Sequence, residues 1–396
     1  MKLKNIVVPV VAAVCAAAIG MGIWNGTGIG GPDSSDPAES GQMQETTVIS
    51  ETWQSNVLRS DEITDDCFAS EFLHYPVFGS DYSRREIESV TVVDTLADMP
   101  ADAWDVSEAE DGTVMAWVKH REEGGYDLYL GAEGGIRAGS SCKELFAGYE
   151  YASHITLGAH FDTSGAQDMS SMFSHCKKLE KLELGECFDT SRVQDMGFMF
   201  LNCESLRSLD LGEHFDTSKV EDMCCMFDCC KSLMSLELGE HFDTSKVEDM
   251  SYMFIDCGSL GSLELGECFD TSNVEYMMSM FRGCRSLTEL DLGDRFDTSN
   301  VQYMARMFDE CISLASLDLG DCFDTSRVKT MGGMFRRCRF LTKLDLGAYF
   351  DTSEVLDMSE MFYMCHFLTE LNLGDRFDTS KATITDMFTY CPAGQN

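Results

Sequence analysis

Phe242-Asp-Thr-Ser-Lys-Val-Glu-Asp-Met-Ser-Tyr-Met-Phe-Ile-Asp-Cys-Gly-Ser-Leu-Gly-Ser-Leu-Glu-Leu-Gly266 is one turn of a repeat. Its opening Phe-Asp-Thr-Ser recurs at Phe161, Phe188, Phe215, Phe269, Phe296, Phe323, Phe350 and Phe377, each 27 residues from the next. A fixed period of that length predicts a solenoid, in which one short unit stacks on copies of itself. A lone unit buries too few apolar side chains to offset the entropy of ordering its backbone, so stability must arise from the array.

Within one unit the hydrophobic period changes. Leu179, Leu182 and Leu184 alternate as a short strand with one buried face, ended by Gly185. Phe188 then turns inward, Asp189-Thr190-Ser191 reads as a side-chain-capped turn, and Val193 is the next inward residue. Met196, Met199, Phe200 and Cys203 follow at i, i+3, i+4, i+7, the stripe of a short helix with Asp195 as its N-cap. The expected fold is an α/β solenoid: a leucine-rich-repeat-like array of 27-residue coils, each a short parallel strand, a turn and a short helix. The period runs back into a degenerate first coil, with Leu145-Phe146 and Ile155, Leu157 and Gly158 in the matching slots.

Five regions are expected: 1–24 a signal peptide or signal-anchor, 25–47 a flexible linker, 48–140 a small α+β capping module, 141–391 the solenoid, and 392–396 a tail. The basic Met1-Lys-Leu-Lys4 and the uncharged Ile6–Trp24 carry the first assignment. Cys15 has a poor lipidation context in Ala12-Ala13-Val14. The capping module is expected to contain strands at Val90–Val93, Val114–Val118 and Tyr126–Leu130, with a hairpin through Glu122-Glu123-Gly124-Gly125, and to cover the solenoid's otherwise open edge.

The chain has 396 residues, is 44% hydrophobic and carries a formal net charge of −39 from 68 acidic and 29 basic residues. That charge disfavours nucleic acid and anionic membrane surfaces and favours basic proteins, cationic surfaces or divalent cations. Membrane contact is expected only through residues 6–24, and the location as the cell surface or the surrounding medium of a bacterium.

From Phe242 to Gly266 and across Cys142–Cys391 the repeat resembles that of BspA-like leucine-rich-repeat surface proteins. The stretches Ala103-Trp104-Asp105-Val106, Gly112–Val118 and Tyr126–Ala138 resemble the segment that commonly precedes those repeats. The resemblance implies an exported bacterial, sometimes protist, protein displaying a leucine-rich solenoid, and adhesion to host matrix proteins or to other cells. It implies no catalytic residues. The chain departs from the family in showing no recognisable C-terminal wall anchor.

Several rows of equivalent residues could carry chemistry. The strand's outer face presents Glu183, Asp210, Glu237, Glu264, Asp291, Asp318 and Asp345, then Asn372, beside varied positions such as Met234/Ser235 and Thr342/Lys343. This acidic stripe is the candidate binding surface; the alternative is a row of merely solvated strand residues. Cys176, Cys203, Cys230, Cys257, Cys284, Cys311, Cys338, Cys365 and Cys391 occupy the last slot of the helical stripe and read as small buried hydrophobes. Cys224, Cys225, Cys229 and Cys230 break the pattern within one coil; Cys225 and Cys229, at i, i+4, could share a helix face as a local metal or redox pair, or they are drift at variable positions. His160, His214 and His241 occupy the slot before Phe, where His214 and His241 with Glu213 and Glu240 could bind zinc or form a merely solvated corner. The Asp162–Asp378 row either caps turns or bridges calcium. No cofactor, no metal site and no enzyme are expected, because every polar candidate is a repeat position. The expected function is a non-enzymatic binding or adhesion module. The alternatives are a structural surface spacer or a metal- or redox-active protein.

Overall fold

The computed structural model describes residues 56–61 and 75–395. The expected signal or anchor segment, the linker, and residues 48–55 and 62–74 of the capping module lie outside the described residues. The described residues all belong to one compact unit.

Alternating apolar residues build the N-terminal module from strands β1 (Val57–Leu58), β2 (Ile87–Val93), β3 (Trp104–Asp105), β4 (Met115–His120), β5 (Tyr126–Gly131) and β6 (Ile136–Ala138). β4 and β5 pair antiparallel across the expected hairpin. β2 and β5 pair parallel. The module differs from its α+β expectation. Its described residues contain no α-helix, only a 3-10 turn at Arg84–Glu86, because its apolar residues alternate with the period of a strand rather than a helix.

β2 continues into the repeats. It pairs in parallel with β7 (His154–Thr156), which pairs with β9 (Lys181–Glu183), giving the order β3-β4-β5-β2-β7-β9. A parallel set of β1, β6 and β8 (Phe161–Asp162) forms beside it. The module therefore closes the first edge of the array by hydrogen bonding to it. Arg84, 1% exposed, ties the two together. Its guanidinium donates to the carbonyls of Glu144 (2.9 Å), Ala147 (2.6 Å) and Asp61, pairs with the Asp61 carboxylate (2.8 Å), and lies 5.2 Å from the centre of the Tyr149 ring.

The coils stack in parallel. One row of bridges runs Ser141, Asp168, Asp195, Asp222, Asp249, Tyr276, Tyr303, Thr330, Asp357 and Thr383, one residue from each coil. On the strand side, β10 (Ser235–Glu237) pairs with β11 (Ser262–Glu264), β12 (Glu289–Asp291) with β13 (Ser316–Asp318), and β14 (Lys343–Asp345) with β15 (Glu370–Asn372). The strand ladder is thus closed in alternate gaps of this region.

The short helix of each coil is not formed. Met196, Met199, Phe200 and Cys203 are fully buried, as the stripe required, but on a chain of β-turns. Phe198 and Asn202 hold φ values of 61° and 60°, incompatible with a right-handed helix, and the same two slots are left-handed in coil after coil. Alternate amides close local turns, such as Met199 N to Met196 O (3.3 Å) and Cys203 N to Phe200 O (3.1 Å). The others reach the next coil: Phe198 N to Cys224 O (2.8 Å), Phe200 N to Met226 O (2.9 Å) and Asn202 N to Asp228 O (2.8 Å). The reason is spacing. Parallel strands sit about 4.8 Å apart, whereas α-helices pack at roughly 8–10 Å, so an array whose turn side is itself bonded coil to coil at strand spacing has no room for a helix there. Turns can, and they also direct half of their amides laterally.

Two phenylalanine ladders fill the interior. Phe173 through Phe362 stack with ring centres 5.4–5.7 Å apart on the turn side. Phe188 through Phe377 stack at 6.2–6.4 Å beyond the glycine corner. At the corner Gly320 holds φ +73°, and a Cβ there would stand 2.5 Å from the Gly293 carbonyl oxygen, so both conformation and space demand glycine. The threonine of Phe-Asp-Thr-Ser is a rung. Thr190 Oγ1 donates to Asp216 O (2.8 Å), and equivalent threonines repeat the bond along the array, fully buried.

Candidate binding faces of the repeat array

The acidic stripe lies where the strand alternation places it. In Ser235–Glu237 and Glu289–Asp291 the central leucine is buried and both neighbours are exposed. Glu237 stands in register with Glu264, Asp291 with Asp318 and Asp345 with Asn372. Glu183 leads the row, bonded to Lys181, and its carboxyl is held below the usual range chiefly by that bond. Beside the stripe Met234 is 55% exposed, one of the varied outer positions.

The row is chemically two rows. Asp210, Asp291, Asp318 and Asp345 each accept a hydrogen bond from the amide of the glycine two residues on, at 2.9–3.0 Å. Asn372 does the same to Gly374 (3.1 Å) and donates to Asp345 Oδ1 (3.0 Å). These side chains brace the glycine corner. Glu183, Glu237 and Glu264 are one methylene longer and make no such bond; with Glu183 held by Lys181, Glu237 and Glu264 are the members most available to a partner. The Asp-x-Gly spacing carries this distinction in the sequence, and reading the row as uniform missed it.

The other rows sort similarly. Each Asp of Phe-Asp-Thr-Ser caps its turn, as Asp189 Oδ1 does for Ser191 N (2.8 Å). The cysteine row is buried and unpaired, and its thiols donate to the phenylalanine carbonyl of the previous coil, as Cys203 does to Phe173 O (3.3 Å). Burial pushes the Cys176 thiol up to about 12, keeping it a protonated donor. Cys225 and Cys229 do not share a helix face, because no helix exists there. Cys225 is buried, with its sulfur 3.6 Å from that of Cys224, and burial pushes Cys229 up to about 12. His214 and His241 are exposed on successive coils, while His160 lies 3.4 Å from Asp94. Among the described residues no three His, Cys, Asp or Glu side chains converge as a metal-binding group.

Asp195 caps a turn rather than a helix, accepting from Gly197 N (2.9 Å). Burial, and then the neighbouring aspartates, push Asp195 and Asp222 up to about 6, and burial does the same for Asp228. A carboxyl whose folded pKa lies above its unfolded value favours the fold when protonated. These three groups therefore withdraw stability as pH rises from about 4 to about 6. The net charge of −39 acts in the same direction. Asp351 and Asp378, held low by bonds from Ser353 and Ser380, act oppositely below about pH 4. The urea midpoint is expected to be higher at about pH 5 than at about pH 7.5. A midpoint that is flat or rises between those values contradicts the assignment.

A second surface escaped the sequence reading. Glu221, Lys246, Glu248, Asn273, Glu275 and Asn300 line an open groove of about 450 Å³. Its signal in the sequence is a local departure from the repeat. Tyr276 and Tyr303 replace the bridging aspartate in two successive coils, and Asn273 and Asn300 replace long charged side chains in the same two.

The family described as "Mycoplasma protein of unknown function, DUF285" matches residues 140–260, 234–319 and 294–396. This chain belongs to that family. The matched residues begin in the degenerate first coil and run through the last, so the family is defined by the array. The crystal structure of the T. pallidum leucine rich repeat protein matches over 70% of this chain and 86% of that one, at 14% identity and a TM-score of 0.17. With so low a score, it is the geometry of the coils that defines the fold. No curated protein matches the chain.

Proposed function

We propose that this chain is an exported bacterial protein, displayed at or released from the cell surface. Its array acts as a non-enzymatic binding and adhesion module for host or microbial macromolecules, in the manner of BspA-like proteins. The supporting observation is the exposed strand face. Glu237 and Glu264 stand in register over a regular core while neighbours such as Met234 vary. Many weak contacts on a rigid surface sum without ordering cost, and the carboxylates favour basic partners. Nucleic acid is disfavoured by the same charge. Membrane contact is assigned to residues 6–24 alone.

The split within the stripe supplies the test. Changing Glu183, Glu237 and Glu264 together to Ser leaves every corner bond intact. Binding to immobilised matrix proteins is expected to weaken roughly tenfold at low salt. Unchanged binding removes the stripe from the mechanism. The bonds of Asp210, Asp291, Asp318 and Asp345 to their glycines favour a second reading, a surface spacer whose carboxylates serve only the fold. In that case a pull-down yields no saturable partner.

A further inference from the structure

We propose that the groove beside Tyr276 and Tyr303 is a binding site for an extended, uncharged oligosaccharide, separate from the acidic stripe.

These two coils give up a bond that the coils before them keep. In those coils the bridging residue is an aspartate that caps the following turn, as Asp222 does for Cys224 N (2.7 Å) and Asp249 for Ser251 N (2.7 Å); in the coil after them it is Thr330. Tyrosine cannot make that bond. Yet it occupies the position in two consecutive coils, where Tyr276 and Tyr303 stack with ring centres 5.4 Å apart and 2° between their planes. Both are half-buried, leaving part of each ring in solvent. The stacked pair presents a flat platform two coils long.

The lining suits the same ligand. Along each coil the order is amide, then carboxylate or amide, then ring: Asn273, Glu275, Tyr276, and Asn300, Gln302, Tyr303. The planar groups are fixed by bonds between coils. Asn273 Nδ2 donates to Ser245 O (2.5 Å), Asn300 Nδ2 to Ser272 O (2.6 Å) and Gln302 Nε2 to Glu275 Oε2 (3.1 Å). The Tyr276 phenol, pushed up by partial burial and then by Glu275, also feels Glu248, so the rings share the carboxylates of the groove. Asn300 is bonded at both ends, its Oδ1 accepting from Arg327; the groove's carboxylates and the Asn273 amide oxygen suit neighbouring hydroxyls, and a sugar's C–H face suits a tyrosine ring.

The backbone of the groove excludes a peptide strand. Glu248 N bonds to Glu221 O (2.9 Å), Glu275 N to Glu248 O (2.9 Å) and Gln302 N to Glu275 O (3.0 Å). These amides are committed to the array, so an extended peptide cannot add a strand here. Recognition must run through side chains, which repeat every ~4.8 Å, a spacing of the same order as the rise of one sugar in an extended glycan.

The experiment applies the full chain to an array of neutral and charged oligosaccharides, with nona-arginine as a cationic probe. Binding of a neutral glycan that survives about 1 M NaCl, where the Debye length is ~3 Å, is expected. Tyr276→Ser with Tyr303→Ser is expected to weaken it about tenfold. Should that variant unfold by circular dichroism, Asn273→Ala with Asn300→Ala serves in its place, with the same loss expected. The stripe variant Glu183→Ser/Glu237→Ser/Glu264→Ser is expected to leave glycan binding unchanged, which separates this site from the stripe. The proposal is overturned if no neutral glycan binds, or if the groove variants bind as well as the parent. Retention of nona-arginine alone, abolished by salt, also overturns it and marks the groove as a cationic-peptide site.

Discussion

Truncation of Phe254 to alanine is expected to destabilise the array by about 3–5 kcal/mol. The ring is fully buried and stacks on Phe227 at 5.4 Å and on Phe281 at 5.7 Å, so its loss opens a void between two layers at once. Neighbouring coils cannot close it, because the bonds of Phe254 N to Met280 O (2.9 Å) and Phe227 N to Met253 O (2.9 Å) hold the backbone spacing. In a one-dimensional array a weak mid-rod interface also divides the cooperative unit. Urea unfolding should show both a lower midpoint and a shallower slope. Phe388→Ala, in the last coil where the ring is only partly buried and stacks on Phe362 alone, should shift the midpoint less and leave the slope intact. Equal effects at the two sites contradict a stacked array with nearest-neighbour coupling.

Removal of the Arg84 charge by Arg84→Met is the second large effect, about 3–5 kcal/mol. Methionine fills much of the space but leaves the Ala147 carbonyl without its donor and takes the charged partner from Asp61, whose carboxylate keeps only the amide of Phe78 (2.9 Å), while the Glu144 carbonyl keeps Ala147 N (3.0 Å). Arg84→Lys should recover little, since one ammonium cannot reproduce a planar fork serving several acceptors. The loss should be local. Hydrogen exchange is expected to quicken in β2 and β7, where the module joins the array, and to stay unchanged around Phe281. Uniform acceleration along the chain, or an unchanged midpoint, removes Arg84 from the junction.

Much of this architecture is legible in the residue order. The 27-residue period, the buried set Leu182, Phe188, Val193, Met196, Met199, Phe200 and Cys203, the glycine corner and the hairpin between β4 and β5 all lie where pattern and spacing place them. The helix was not legible, because Met196, Met199, Phe200 and Cys203 satisfy the same i, i+3, i+4, i+7 spacing on a helix or on successive turns. Phe198 and Asn202 are unremarkable as residues, and nothing in their identity demands a positive φ. Arg84 gave no signal at all, since a lone arginine in a non-repeating segment has no pattern to break.

The sequence alone determined which side chains are interior, because burying apolar surface in a periodic chain admits one phase. It also determined that the coils stack rather than fold singly, because one coil cannot offset its own ordering entropy. Only the tertiary structure decided how the backbone passes between buried positions, because the lateral bonds that hold the turn side at the ~4.8 Å step exclude helices that no single coil would exclude. It alone brought Tyr276 and Tyr303 into one stack. That contact joins residues that only the stacking of coils places side by side.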